Sequence, residues 1–210
     1  HLSIRRQRQM CIRDRNIIIH SLYGRRVNDA LSRAFAYMLT KKLGKSIAVT
    51  ISDNGFMLTI PADRMDSGWI LIRRAKELKQ RRIDPREIFT LVKSKDLEEI
   101  LKKALRQTEL LRRKFRHSAT RALMVLRNYK GYEIRVTKQQ MNADKLLRVC
   151  EKIENFPVLK ETYREILEDY MDVKHAKEIL EGIEKQKIKL EFLPEADIPS
   201  PFSHLSLIHI

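Results

Sequence analysis

The side chains in this sequence best suited to binding a partner are basic, and they are concentrated between residues 102 and 130. This stretch contains ten lysines and arginines but a single acid, Glu109, and therefore has a net charge of +9. Solubility alone needs far fewer uncompensated charges. Guanidinium and ammonium groups at this density are typical of proteins that contact phosphate groups. The arginines that we predict to make such contacts are Arg106, Arg113, Arg116 and Arg127.

Two more arginines, Arg25 and Arg26, stand at the start of a predicted helix. The unpaired N–H groups and the positive end of the helix dipole favour anions at such a position. Both side chains could therefore bind a phosphate group. They could equally pair with acidic residues of another domain, and the sequence leaves these two alternatives open.

No group of residues in the sequence is typical of a catalytic or metal site. Gly44-Lys45-Ser46 copies the end of a P-loop, but Leu39 stands where that motif needs its first glycine. A helix is also predicted before it and a strand after it, which reverses the order that the motif requires. His117 has no acid nearby in sequence to complete a nucleophilic triad, and no histidine stands at zinc-ligand spacing from Cys150. We therefore expect the chain to be non-catalytic and to bind no cofactor or metal.

Aromatic rings close to basic side chains can stack on the bases of a single-stranded nucleic acid. Trp69 and Tyr129 are the candidates for this role. Aromatic side chains more often pack into a core or lie half-buried with their polar atom at the surface. We predict that structural role for both residues.

Hydrophobic periodicity predicts an α+β fold with a small antiparallel sheet and a predominantly helical middle. A strand in the segment NIIIHSLYG, which is closed by Gly24, is followed by a helix that ends at Gly44. Asn54-Gly55 predicts a β-hairpin because both residues tolerate positive φ. Further helices are predicted from Pro85, over residues 96–129, from Pro157 and over residues 174–183. Alternating residues over 187–194 predict a last strand.

Both ends of the chain are predicted to be foreign to the protein. Codons for RRQRQMCIRDR, which ends at Arg15, and for LSLIHI, which begins at Leu205, reproduce the two strands of one transposase sequencing adaptor. We therefore predict that residues 1–15 and 205–210 are adaptor-derived and that residues 16–204 are the evolved segment. The first segment contains five arginines and one aspartate, so the net charge falls from +16 to +12 without it.

Cysteine content and hydropathy limit where the protein is expected to act. Cys150 is the only cysteine outside the predicted adaptor segments, which excludes an internal disulfide and is typical of a reducing cytoplasm. No apolar run reaches the length needed to cross a bilayer. We therefore expect a cytoplasmic protein that does not span a membrane.

Six stretches, in the order in which they occur, resemble one family. They are HSLYGRRVNDALSRAFAYML, ISDNGFMLTIP, LLRRKFRHSATRALMVLRNYKG, KQQMNADKLL, FPVLKETYREILEDYMDV and IPSPFSH. Together they are similar to Lhr-type helicases, in the helicase-associated (DEAD/H-associated) region that follows two RecA-like motor domains and a winged-helix domain. The residues that carry the resemblance include Gly24 to Arg26, Asn28, Arg113, Phe115, Arg116, His117, Arg127, Asn128, Gln139 and Gln140.

The resemblance implies a full-length superfamily 2 enzyme that uses ATP and Mg²⁺. Such an enzyme moves 3′ to 5′ along single-stranded DNA and unwinds DNA or RNA–DNA duplexes. The implied partners of this chain are single-stranded DNA or an RNA–DNA hybrid, and the winged-helix and RecA-like domains of the same protein. The motor motifs are not present in the sequence, so the resemblance does not imply that this chain hydrolyses ATP.

Two hypotheses from different classes follow. In the first, the chain is an accessory lobe that binds nucleic acid and helps to form the single-strand channel of the helicase. In the second, it is a structural lobe that braces the winged-helix and motor domains, and its basic residues contact acidic protein surface. A free-standing nucleic-acid-binding protein is a third and more distant possibility. The dependence of DNA binding on salt separates the first two, because only phosphate contacts release counterions.

Overall fold

The computed structural model describes residues 15–61, 85–106 and 108–193. Its N-terminal part contains three antiparallel strands, β1 (Arg15–His20), β2 (Ala48–Ser52) and β3 (Gly55–Ile60). The strands are ordered β1-β3-β2, with Arg15 opposite Ile60 and His20 opposite Gly55. The predicted hairpin is confirmed, and so is the first strand, although it ends at His20 and residues 22–23 form a turn before Gly24.

The glycine of the hairpin is needed for a reason other than the predicted one. Asp53 and Asn54 form the turn, and Gly55 is the first residue of β3. A Cβ atom at position 55 would collide with the backbone carbonyl oxygen of Ile19 on β1. Glycine therefore lets β1 approach β3 closely at the end of the sheet.

Helix α1 (Arg25–Leu43) packs across the sheet. Its apolar residues recur at helical spacing and place Phe35 and Leu39 in full burial against β2 and β3. Gly44 ends the helix in the left-handed conformation, with φ of 68°, and its N–H donates a 2.8 Å hydrogen bond to the carbonyl of Thr40. The predicted end of this helix is confirmed.

The rest of the described chain is mostly helical, which confirms an α+β fold with a helical middle. The elements are α2 (Pro85–Leu91), a 3₁₀ turn (Ser94–Asp96), α3 (Leu97–Leu105), α4 (Glu109–Arg121), β4 (Asn128–Tyr129), β5 (Tyr132–Glu133), α5 (Val136–Cys150), α6 (Pro157–Arg164), a π-helical segment (Glu165–Tyr170) and α7 (Val173–Glu184).

The prediction of one helix over residues 96–129 is wrong. Thr108 begins a new helix, because its hydroxyl accepts a hydrogen bond from the N–H of Leu111 as an N-cap. That helix ends at Arg121, and the chain then forms the two-stranded hairpin of β4 and β5. Periodicity did not detect these interruptions because apolar residues continue at helical spacing through both of them.

The predicted last strand over residues 187–194 is also wrong for the part that the structure describes, residues 187–193. The N–H groups of Lys187 and Ile188 both donate to the carbonyl of Gly182, at 2.8 and 3.1 Å. This turns the chain back onto the end of α7, where the side chain of Ile188 packs beside Gly182. These contacts replace the ladder that alternating residues would otherwise form.

Two hydrophobic cores organise the helices. The larger core lies among the sheet, α1, α2, α3, the π-helical segment and α7. The smaller core contains Phe115, Ala119, Val125, Ala143, Leu147 and Cys150. Helix α4 belongs to both, because Leu110 and Leu111 enter the larger core whereas Phe115 and Ala119 enter the smaller one. This shared helix carries two of the predicted phosphate-binding arginines, Arg113 and Arg116.

Candidate nucleic-acid interface

The basic side chains of α4 lie on two sides of the helix. A stripe of buried residues separates the two sides. Phe115 and Ala119 are completely buried and Ser118 nearly so, which fixes the helix against α5 and α6. Residues on the two borders of this buried stripe then point in different directions, because each residue turns by about 100°. The basic side chains of α4 therefore divide into two groups.

The first group faces the π-helical segment and is neutralised by it. Lys114 Nζ lies 2.9 Å from one carboxylate oxygen of Glu165, and Arg121 lies 2.7 Å from the other. The side chain of Glu165 is only 18% exposed. The hydrogen bond from Lys114, followed by that from Arg121, lowers the pKa of the Glu165 carboxyl against the opposing effect of burial. These two basic residues hold α4 to the π-helical segment.

The second group faces outward and has no acceptor within the described parts of the protein. The side chains of Arg112, Arg113 and Arg116 make no hydrogen bond or ion pair with any residue there. They line a groove of about 180 Å³ between α4 and α5, together with Glu109, Gln140, Ala143 and Asp144. Arginines that lack protein acceptors present all their donors to an external anion. We refer to these three residues as the arginine face.

The environment of His117 shows how strongly positive this part of the molecule is. Its pKa is lowered, first by partial burial and then by the positive charges of Arg116, Lys114, Arg127 and Arg113. Among these cations only Lys114 is paired with a carboxylate in the described structure. The field at His117 therefore comes largely from guanidinium groups that a bound phosphate could neutralise.

The six arginines predicted from the sequence do not all lie together. The positive charges of Arg113, Arg116 and Arg127 all contribute to lowering the pKa of His117. Arg106 instead lies 3.4 Å from the carboxylate of Glu151, in an exposed contact. Arg25 and Arg26 begin α1, which packs in the larger core.

The side chain of Arg26 is occupied by protein acceptors. Its guanidinium donates to the carbonyl oxygens of Glu168 at 2.5 Å and Met171 at 3.4 Å. These bonds satisfy two carbonyl groups at the end of the π-helical segment, which has no further turn to pair them. Arg25 is exposed and makes no such contact among the described residues.

Several residues that carry the family resemblance stabilise the fold. The amide of Asn28 donates to the carbonyls of Ser21, Ser52 and Asp53, at 3.0 to 3.2 Å, and so joins α1 to the hairpin. Gln139 donates to the carbonyl of Ile134 at 2.6 Å. Phe115 fills the smaller core. Of this set, Arg113, Arg116 and Gln140 line the groove.

Sequence reasoning missed three residues at this surface. It did not single out Arg112, and it predicted Tyr129 to be buried or half-buried, whereas that side chain is 58% exposed. Tyr132, which it did not consider, is 80% exposed. The sequence Tyr-Lys-Gly-Tyr was the available indication, because Lys-Gly can form the turn of a two-residue hairpin. Trp69 lies outside the described residues.

Neither a metal site nor a membrane span is found in the described parts of the chain. No group of three or more histidine, cysteine or acidic side chains there could hold a metal ion. No helix in residues 15–61, 85–106 and 108–193 combines the length and apolar character that a bilayer crossing needs.

Comparison with known proteins places this arrangement in a family. The family described as DEAD/H associated matches residues 4–203. The chain belongs to the DEAD/H associated family. It is 43% identical over 190 residues, or 90% of its length, to the ATP-dependent helicase Lhr-Core of Saccharolobus solfataricus. It is 45% identical over 185 residues, or 88% of its length, to the ATP-dependent helicase Lhr-Core protein 2 of Thermococcus barophilus.

These similarities concern one region of much larger proteins. The DEAD/H associated chain described here spans 20% and 19% of the length of those two relatives. A solved structure, that of the Mycobacterium smegmatis helicase Lhr bound to ssDNA and AMP-PNP, has a TM-score of 0.68 and 27% identity. The likeness covers 91% of this chain and 22% of that one. The predicted resemblance to the helicase-associated region of Lhr-type helicases is confirmed.

Proposed function

We propose that this DEAD/H associated chain is an accessory nucleic-acid-binding lobe of an ATP-dependent Lhr-type helicase. In this proposal it forms part of the channel for the single strand and contains no ATPase motor. The observation that supports it most directly is the arginine face, in which the side chains of Arg112, Arg113 and Arg116 lack acceptors among the described residues. Phosphate oxygens are the acceptors that such donors favour.

Contacts within the chain argue against an equal role for every basic residue. Lys114, Arg121 and Arg106 already pair with carboxylates, and Arg26 donates to backbone carbonyls. A phosphate at any of these would have to compete with an existing partner. Of the original six, Arg25, Arg113, Arg116 and Arg127 have no such partner among the described residues. We propose Arg113, Arg116 and Arg127 as phosphate contacts, together with Arg112, and leave out Arg25, which begins α1 in the larger core.

The activity of the complete protein is part of the same proposal. The names of the relatives include ATP-dependent helicase, and one solved relative holds single-stranded DNA with an ATP analogue. We infer that ATP and Mg²⁺ act in the motor domains of the full-length protein, with 3′ to 5′ movement and with DNA or RNA–DNA duplexes as substrates. A cytoplasmic location and contacts to winged-helix and RecA-like domains belong to the proposal as well.

The dependence of affinity on salt tests the arginine face. Removal of one phosphate-binding side chain flattens the slope of log K against log salt by about 0.7 for a single strand, because fewer counterions are released. We expect Arg113→Ala combined with Arg116→Ala to flatten the slope of the 210-residue chain by up to about 1.4, for all base sequences alike. Fluorescence anisotropy with a labelled oligonucleotide over a range of salt concentrations measures this slope.

Lys174→Ala combined with Lys177→Ala is the matched control. It removes the same charge from exposed positions on α7, which packs in the larger core. That variant should keep the slope of the unaltered chain. If the same substitutions in the full-length enzyme leave the slope unchanged but lower the melting temperature, the structural lobe that braces the motor is the better account.

The bounds of the evolved segment within the sequence are also a proposal. We propose that residues 16–204 are the evolved segment and that residues 1–15 and 205–210 derive from a sequencing adaptor, since both ends match strands of one adaptor. Sequencing of the genomic locus tests this. A natural reading frame that preserves RRQRQMCIRDR would contradict it.

A further inference from the structure

The hairpin of β4 and β5 exposes two aromatic rings on one face. Tyr129 and Tyr132 are directly opposite each other in the ladder, so their side chains lie on the same side of it. The turn between them is formed by Lys130, with φ of 50°, and Gly131, with φ of 82°. Positive φ at both central residues is the type I′ geometry that matches the twist of a short hairpin. Tyr129 and Tyr132 are 58% and 80% exposed as residues.

The hairpin is fixed at its base. The N–H of Ile134 donates a 2.7 Å hydrogen bond to the carbonyl of Arg127, which closes the hairpin behind the strands. Gln139, in the first turns of α5, donates to the carbonyl of Ile134. The exposed rings therefore project from a base that is bonded to a helix, and they lose little freedom when a ligand covers them.

The charges around the rings are almost all positive. Residues 122–138 contain four basic side chains and one acid, Glu133. The ammonium group of Lys130 lies 5.6 Å from the centre of the Tyr129 ring. The basic residues of this segment are Arg127, Lys130, Arg135 and Lys138. Aromatic faces among cations are the chemistry that binds unpaired bases together with their phosphates.

The hairpin and the groove of the arginine face lie along the same pair of helices. The hairpin joins the end of α4 to the start of α5, and the groove lies between those two helices. From Arg116 to the end of α4 at Arg121, the helix rises by about 7.5 Å. A strand whose phosphates follow the groove would therefore meet the hairpin at the end of the helix pair.

We propose that Tyr129 and Tyr132 stack on unpaired bases of a single-stranded nucleic acid. This inference rests on the proposed function, because the phosphates of the same strand would contact the arginine face. Stacking needs the ring face of each tyrosine and no particular base, so the hairpin binds without sequence preference. Duplex DNA does not bind in this way, since its bases are already stacked on one another.

Substitutions that keep or remove the ring test the proposal on the 210-residue chain. Tyr132→Leu retains an apolar side chain but removes the planar ring, whereas Tyr132→Phe retains the ring. We expect the leucine variant to bind a twelve-nucleotide oligothymidylate about 5-fold or more weakly, and the phenylalanine variant to bind it as the unaltered chain does. The same pair of substitutions at Tyr129 should behave alike.

An abasic oligonucleotide of equal length separates base stacking from phosphate contact. The leucine variants should bind this backbone as tightly as the unaltered chain, with the same salt slope. Equal affinity of the leucine and phenylalanine variants for oligothymidylate would overturn the stacking proposal and leave the arginine face untouched. A flattened salt slope in the arginine variant is a separate result, so failure of the hairpin and failure of the proposed function are distinguishable.

Discussion

Neighbouring basic residues on α4 point in different directions around the helix axis, and they therefore have different surroundings. Lys114 contacts Glu165, while Arg113, one position earlier, points away from it into the groove. The sequence predicted a dense positive charge, and that charge is present. The sequence could not predict which of the basic residues are neutralised, because Glu165 lies 51 residues from Lys114 in the chain. Only the packing of α4 against the π-helical segment brings them together.

Nucleic acid should raise the pKa of His117. Burial and the surrounding positive charges lower that pKa in the unbound protein. Bound phosphates would neutralise those charges, so the bound state takes up a proton more easily, and affinity should increase as the pH falls below the ordinary histidine value of about 6.5. NMR titration of His117 with and without oligonucleotide measures the shift.

His117→Gln serves as the control for this linkage, because it removes the titrating group and keeps a polar side chain. The variant should show less increase in affinity than the unaltered chain when the pH is lowered through the ordinary histidine range. A His117 titration that oligonucleotide leaves unchanged would contradict phosphate binding at the neighbouring arginines.

Glu165→Gln should destabilise the protein by about 1–2 kcal/mol at neutral pH, since charged hydrogen bonds to two basic residues are weakened. The pKa of this carboxyl is lowered in the folded protein, so its contribution is present above the ordinary value of about 4.3 and is lost as the pH falls through the lower, folded value. The difference in melting temperature between the two proteins should therefore shrink in acid.

Glu161→Gln is the matched substitution, one turn earlier on α6. Glu161 pairs with Arg164, but both side chains are about half exposed, and such surface pairs contribute about 0–1 kcal/mol. If both glutamine variants have the same melting temperature, Glu165 does not hold α4 in place.

At the scale of elements, prolines and glycines predicted helix boundaries more reliably than apolar periodicity did. Pro85 and Pro157 each begin a helix, as predicted from their preset φ. The prediction of one long helix over residues 96–129 failed because the cap at Thr108 and the turn at Leu123, with φ of 58°, are short local features inside an apolar pattern. The predicted last strand failed because its residues bond to the end of α7 instead.

Gly55→Ala should destabilise the sheet by about 1–3 kcal/mol, because the added Cβ would collide with the carbonyl oxygen of Ile19 and force the backbones of β1 and β3 apart. Asn54→Ala, at the neighbouring exposed turn position, should have little effect on stability. Urea denaturation followed by circular dichroism measures both. Equal midpoints for the two variants would show that β1 has room to move away.

For the whole molecule, the sequence predicted the fold class and the family, because both depend on features that extend over most of its length. The groove of the arginine face could not be predicted in this way. Its lining comes from two helices that are packed by a core whose residues are spread from 115 to 150. Exposure of Tyr129 likewise depends on a hairpin that the periodicity did not detect.

The 210-residue chain should not hydrolyse ATP, with or without nucleic acid. Its sequence contains no phosphate-binding loop in the order strand, loop, helix, and no motor motif. A phosphate-release assay against a mock purification measures turnover. Turnover in the chain that exceeds the mock value, and that is abolished by removing Mg²⁺, would show that a nucleotide site has been overlooked.

Helix α4, which is shared by the two cores, also bears on the order in which the protein folds. Formation of the smaller core closes loops of a few tens of residues. Formation of the larger core brings together β1 and α7, which are separated by most of the chain. Closing shorter loops costs less entropy, so local contacts form faster. We expect the amide hydrogens of α4 and α5 to gain protection before those of β1 in pulse-labelled hydrogen exchange. The arginine face would then be assembled while the sheet is still incomplete, and a chain caught at that stage could already attract nucleic acid.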